Sequence, residues 1–176
     1  MIPRLALFLL LSALPASADD LTIVRTFTGW RDAASFKRIS EYFDGKENTS
    51  GQTVLRTHPE QRTGYYFLLR VANPGAPLKV QFQLQLIEQG ASVQRTSIFP
   101  AEIGSGSGVF QLGLTGPEWQ AAKSQPVAWR LLIIATDDGR VLASEKSYLW
   151  ENRRETNPRP VILSGAKNPV GSTLPE

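Results

Sequence analysis

Between Lys79 and Leu86 the chain alternates without a miss. Val80, Phe82, Leu84 and Leu86 are apolar, and Lys79, Gln81, Gln83 and Gln85 between them are polar. A period of two predicts a strand with one face in a core and the other in water. The same pattern predicts strands over Leu21–Phe27 and over Val109–Leu114, with Phe110, Leu112 and Leu114 inward. Tyr65–Val71 and Val127–Thr136, the second carrying Trp129, are apolar on both faces and read as central strands with both sides covered. Shorter strands are expected at Thr53–Thr57, Ser92–Phe99 and Val141–Trp150. Turns are expected at Thr28-Gly29-Trp30, Asn73-Pro74-Gly75, Gln89-Gly90 and Asp137-Asp138-Gly139, and a flexible loop at Gly104–Gly108.

One segment breaks the strand rhythm. Phe36, Ile39 and Phe43 fall at helical spacing behind Asp32, a residue suited to an N-cap. They predict a short amphipathic helix over 32–43, stopped by Asp44-Gly45 and followed by a polar loop from Lys46 to Gly51. A helical turn is expected from Thr115 to Lys123.

Seven or eight short strands joined by tight turns predict an all-β fold, an antiparallel β-sandwich with one short helix near the N-terminus. In strand count and length the layout resembles an immunoglobulin or fibronectin type III sandwich. That resemblance is architectural: the cysteine pair of antibody domains is absent. A small barrel is the rival arrangement.

The two ends of the chain differ from this body. Arg4 precedes an apolar run from Leu5 to Leu14, Pro15 breaks it, and Ala16-Ser17-Ala18 offers small residues for cleavage. That order predicts a secretory signal peptide over 1–18. The run is about half the roughly twenty residues that span a bilayer. No cysteine follows it to carry a lipid anchor, so export to the periplasm or the exterior is expected, with no membrane span after cleavage. A β-domain is expected over 19–154 and a disordered tail over 155–176, where Pro158, Pro160, Pro169 and Pro175 interrupt a segment without periodicity. Arg159–Pro169 resembles a translated intergenic repeat that recurs at the ends of unrelated bacterial proteins.

Composition narrows the chemistry. The chain has no cysteine, which removes disulfides, thiolate catalysis and thiolate metal sites. The net charge of +3 is scattered, without the clustered Lys and Arg of a nucleic-acid footprint. His58, the single histidine, sits in a polar turn where no spacing selects a nucleophile or an orienting acid. Gly104–Gly108 matches neither a nucleophile elbow nor a phosphate loop. Asp137-Asp138 supplies two adjacent carboxylates whose ordinary work is the turn itself. Asn48-Thr49-Ser50 fits a glycosylation sequon. No catalytic residue, metal or cofactor is expected.

The stretch from Trp30 to Tyr66 mixes aromatics with arginines, the residue types that dominate binding hot spots. Trp30, Arg38, Tyr42, Arg56, His58, Arg62 and Tyr65 form the candidate interaction surface. The function expected is that of a non-enzymatic envelope module binding another envelope protein, through loops or by strand addition at a sheet edge. One alternative is a carbohydrate-binding module with Trp30, Tyr42 and Tyr65 as sugar platforms. Another is a hydrolase using Glu41 and Glu60 as an acid–base pair.

Overall fold

Eight strands follow one another: β1 (Thr22–Arg31), β2 (Thr53–Arg56), β3 (Gly64–Asn73), β4 (Leu78–Glu88), β5 (Arg95–Ile103), β6 (Gly106–Thr115), β7 (Pro126–Ala135) and β8 (Val141–Lys146). They are seen in a computed structural model that describes residues 21–89, 93–119 and 125–151. The segments read as signal peptide and tail lie outside the described residues. The strands form two four-stranded sheets, ordered β1-β3-β6-β2 and β5-β4-β7-β8. Every pairing is antiparallel except that of β2 with β6, which is parallel.

The alternating residues put the core between the sheets. Tyr65, Phe67, Leu69 and Val71 of β3 and Phe110, Leu112 and Leu114 of β6 face Val80, Phe82, Leu84 and Leu86 of β4 and Leu131 and Ile133 of β7. Phe82 meets Phe110 across the layers with ring centroids 5.0 Å apart, and Phe67 meets Trp129 edge-on at 5.3 Å. Edge-to-face and tilted rings at such spacing are favourable beyond the area they bury.

Several boundaries differ from the pattern reading. β1 runs on through the turn expected at Thr28–Trp30, because Gly29 and Trp30 stay paired to Tyr66 and Tyr65. The loop expected at Gly104–Gly108 shrinks to residues 104–105, since Gly106–Gly108 already pair with β3. β8 stops at Lys146 rather than Trp150, and residues 148–151 make a helical turn. The helix expected over 32–43 splits into a 3-10 turn, Ala34–Phe36, and a single-turn helix α1, Glu41–Asp44, with Lys37 extended between them. Asp32 Oδ1 accepts from the Ser35 N–H at 2.8 Å, so the expected cap serves the 3-10 turn. An isolated helix of a dozen residues is marginal in water. Here Phe36 alone is drawn into the sheet, while Ile39 and Phe43, expected inward, are exposed.

The sandwich has two unlike ends. At one, β3–β4, β5–β6 and β7–β8 are joined by short connections, 74–77, 104–105 and 136–140. Buried Asn73 fastens two of these: its Nδ2 donates to the carbonyls of Ala76 and Gly104, and its Oδ1 accepts from the Gly75 N–H. The other end carries the long excursion of residues 32–63, the places where β4 ends and β5 begins and where β6 ends and β7 begins, and the helical turn 148–151.

Candidate functional site

Residues 32–63 leave β1, cross the outer face of the first sheet and return along β2. Two contacts fix this course. Phe36 packs on Tyr66 with centroids 4.7 Å apart, flanked by the guanidinium groups of Arg31 and Arg56 at 5.6 and 5.2 Å. The Tyr66 ring lies flat across Gly113, where a Cβ would come within 2.5 Å of it. Gly113 therefore makes room for Tyr66, and Tyr66 makes a floor for Phe36.

Around that floor four charges interlock. Arg56, its side chain 6 % exposed, grips Glu47 with both terminal nitrogens at 2.5 and 2.8 Å and donates from Nε to the Tyr66 hydroxyl at 2.9 Å. Tyr66 in turn donates to the Arg62 carbonyl at 2.7 Å. Arg62 pairs with Glu41 at 2.7 Å and approaches Glu47 at 3.7 Å. The Arg62 hydrogen bond holds Glu41 below the ordinary carboxylate value, and the Arg56 hydrogen bond does the same for Glu47. Burial pushes the Tyr66 hydroxyl up, against the pull of Arg56. Two-toothed Arg–carboxylate pairs fix orientation as well as charge, so the network clamps α1 and the loop after it to β2 and β3.

His58 belongs to a second fastening. Its Nδ1 donates to the Thr115 carbonyl, its N–H donates to Thr115 Oγ1 at 2.8 Å, and its ring packs on Gly116, whose φ is +131°. Thr57 Oγ1 donates to the Thr115 carbonyl at 2.7 Å and accepts from the Thr115 N–H at 2.8 Å. These bonds lock the end of β2 to the end of β6.

The seven candidate surface residues thus lie in three settings. Arg56, Arg62 and His58 hold the excursion in place. Tyr65 is buried in the core, and Trp30 is half-buried with its Nε1 donating to the Trp119 carbonyl at 3.1 Å. Arg38 and Tyr42 are exposed. Beside Tyr42, which is 76 % exposed, stand Ile39 at 80 % and Phe43 at 86 %. Ile39 and Phe43 were missed as surface residues because helical spacing sends them inward. Glu47, the acid that ties Arg56 and Arg62 together, sits in a polar loop and carries no sequence signal.

The acidic candidates are similarly placed. Glu41 is engaged by Arg62, and Glu60 is exposed. Asp137 Oδ1 and Asp138 Oδ1 accept backbone N–H groups of their own turn. The Asn48 side chain donates to Ser40 Oγ at 2.9 Å. Among the described residues there is no group of three or more His, Cys, Asp or Glu able to hold a metal ion, and no helix long and apolar enough to cross a membrane. The chain matches no protein-family model, no curated protein and no solved structure.

Proposed function

We propose that the chain is an exported, non-enzymatic binding module that engages a protein partner in the envelope through Ile39, Tyr42 and Phe43. The observation that carries this reading is three large apolar side chains exposed on a segment tied to the sheet by a half-buried ion-pair network. Exposed apolar groups on a mobile loop lose entropy when they bind, whereas a clamped set has already met most of that cost. Burying each against a partner recovers about 1.5–3 kcal/mol.

The strand order supports an immunoglobulin- or fibronectin III-like arrangement. β1-β3-β6 corresponds to the A-B-E order and β5-β4-β7-β8 to C′-C-F-G. β2 stands where strand D would be, but comes from the connection between the first two strands and runs parallel to its neighbour. Strand addition is the less favoured mode. β5 carries Pro100 within an edge strand, and β1 is irregular between Ile23 and Arg25; both features blunt an edge. Tyr42 alone of the three sugar-platform candidates is well exposed, which favours a protein partner over a glycan. Glu41 is stabilised as a carboxylate, the opposite of what a general acid requires.

The test is a photo-crosslinking amino acid placed at Tyr42 and, as a control, at Ser144 on β8, in the native envelope. One partner captured from position 42 alone, and lost when Ile39→Ser and Phe43→Ser are added without a change in melting temperature, is the expected result. Equal capture from both positions, or capture indifferent to the two serines, rejects the reading.

A further inference from the structure

The outer face of the first sheet has a second, uncovered half. Beyond the reach of Phe36, Arg25, Phe27, Leu68, Arg70 and Val109 line a groove of about 330 Å³, with Gln52 also in its lining. The register across β1, β3 and β6 sets Arg25 opposite Arg70 and Arg70 opposite Val109, and in the next row of this face Phe27 opposite Leu68. Val24 has no partner, because the register shifts between Ile23 and Arg25, and it lines the same groove. Phe27 and Val24 are both more than half exposed.

Two features of this groove call for a ligand. Like charges directly opposite on paired strands repel, yet Arg25 and Arg70 are so placed, and neither is ion-paired among the described residues. The residues lining the groove include no carboxylate. The Arg25 guanidinium lies over the Phe27 ring at 5.2 Å, which brings the positive charge onto the apolar strip.

We infer that this groove binds a single-chain amphiphile with one carboxylate head: the head is gripped by Arg25 and Arg70 and the tail lies on Phe27, Leu68 and Val109. The arrangement of the charges selects this occupant. An extended acidic peptide would be met by cations spaced along a strand, whereas these two stand side by side in one row across the strands, where a single anionic head can reach both. Guanidinium groups match a carboxylate with paired hydrogen bonds, and the volume lies at the small end of small-molecule sites.

The test is titration of the purified protein with decanoate below its micelle concentration, followed by calorimetry, beside decanol, acetate and a glutamate-rich extended peptide. Saturable binding of one decanoate is expected, at least tenfold tighter than decanol or acetate. Arg25→Gln and Arg70→Gln should each weaken it about tenfold, the scale of one charge-assisted contact. Neither substitution should lower the melting temperature, because each relieves a repulsion. Absence of saturable decanoate binding, equal affinity for decanol, undiminished binding in the double variant, or preference for the peptide overturns the inference. The groove shares no lining residue with Ile39, Tyr42 and Phe43, so the crosslinking result is independent of this one.

Discussion

The two ends of the sandwich solve the same problem, carrying the chain from one strand to the next, in opposite ways. At the end held by Asn73 the turns are short, and one buried side chain satisfies the polar groups of two of them at once. At the other end the chain between β1 and β3 is long enough to contain a strand, and its fastening is ionic. The first end is fastened with little apolar surface to spare. The second holds Ile39, Tyr42 and Phe43 in solvent at the expense of four charges and an aromatic floor. Apolar side chains left in water at a well-fastened place are the feature on which the proposed partner surface rests.

That contrast can be broken from either side. Phe36→Ala removes the plug between Tyr66, Arg31 and Arg56, and should cost about 3 kcal/mol, the low end for a buried Phe. Urea melts should show the loss together with a proteolytic cut appearing within residues 37–52. Arg56→Ala leaves Glu47 with only the 3.7 Å approach of Arg62 and should cost about 2–3 kcal/mol, below the figure for a fully buried pair because Glu47 is partly exposed. Asn73→Ala should cost about 2 kcal/mol through the backbone groups it leaves unpaired, and should leave the 37–52 segment as resistant to protease as before. If that segment loosens too, the two ends are not independent.

Acid distinguishes the ends without a large mutation. Glu41 and Glu47 have folded-state values below the ordinary 4.5. Their contribution is therefore present in full above that value and is lost as pH falls through it toward the lowered ones. Melting temperature should drop on acidification below about pH 4.5, and Glu47→Gln should flatten that drop. The smallest effect is expected at the exposed residues. Ile39→Ser and Phe43→Ser should change stability by no more than about 0.5 kcal/mol, and a clear destabilisation would mean that these side chains serve the fold.

The alternation of Lys79–Leu86 and of Val109–Leu114 carried the core directly, because a one-residue slip would have placed every large side chain in water. The outer face of the first sheet was far less legible. Leu21, Ile23 and Phe27 share one parity, but the irregularity at Val24 reverses the faces, so Ile23 packs on the core while Phe27 faces out. Nothing in the local sequence announces that reversal. The excursion was misread for a different reason. Helical spacing in residues 36–43 is real, yet a sheet face already floored by Tyr66 has room for one ring, and Phe36 takes it. Arg56 and Arg62 were picked out as arginines among aromatics, but their acidic partners, Glu41 and Glu47, are close to them only once β2 lies on β6.

The parallel pairing of β2 also sets an order of events. Among the described residues β2 has no neighbour in its sheet except β6, whose paired residues, Thr53 with Phe110 through Arg56 with Gly113, lie nearly sixty positions later. While the chain emerges amino end first, β2 has nothing to pair with, and long-range closures of this kind are slow to form. The clamp on residues 41–47 depends on Arg56, and the register of Arg56 depends on Gly113. The ion-paired end is thus assembled only after six of the eight strands exist, and its order reports that the sandwich beneath it is nearly complete.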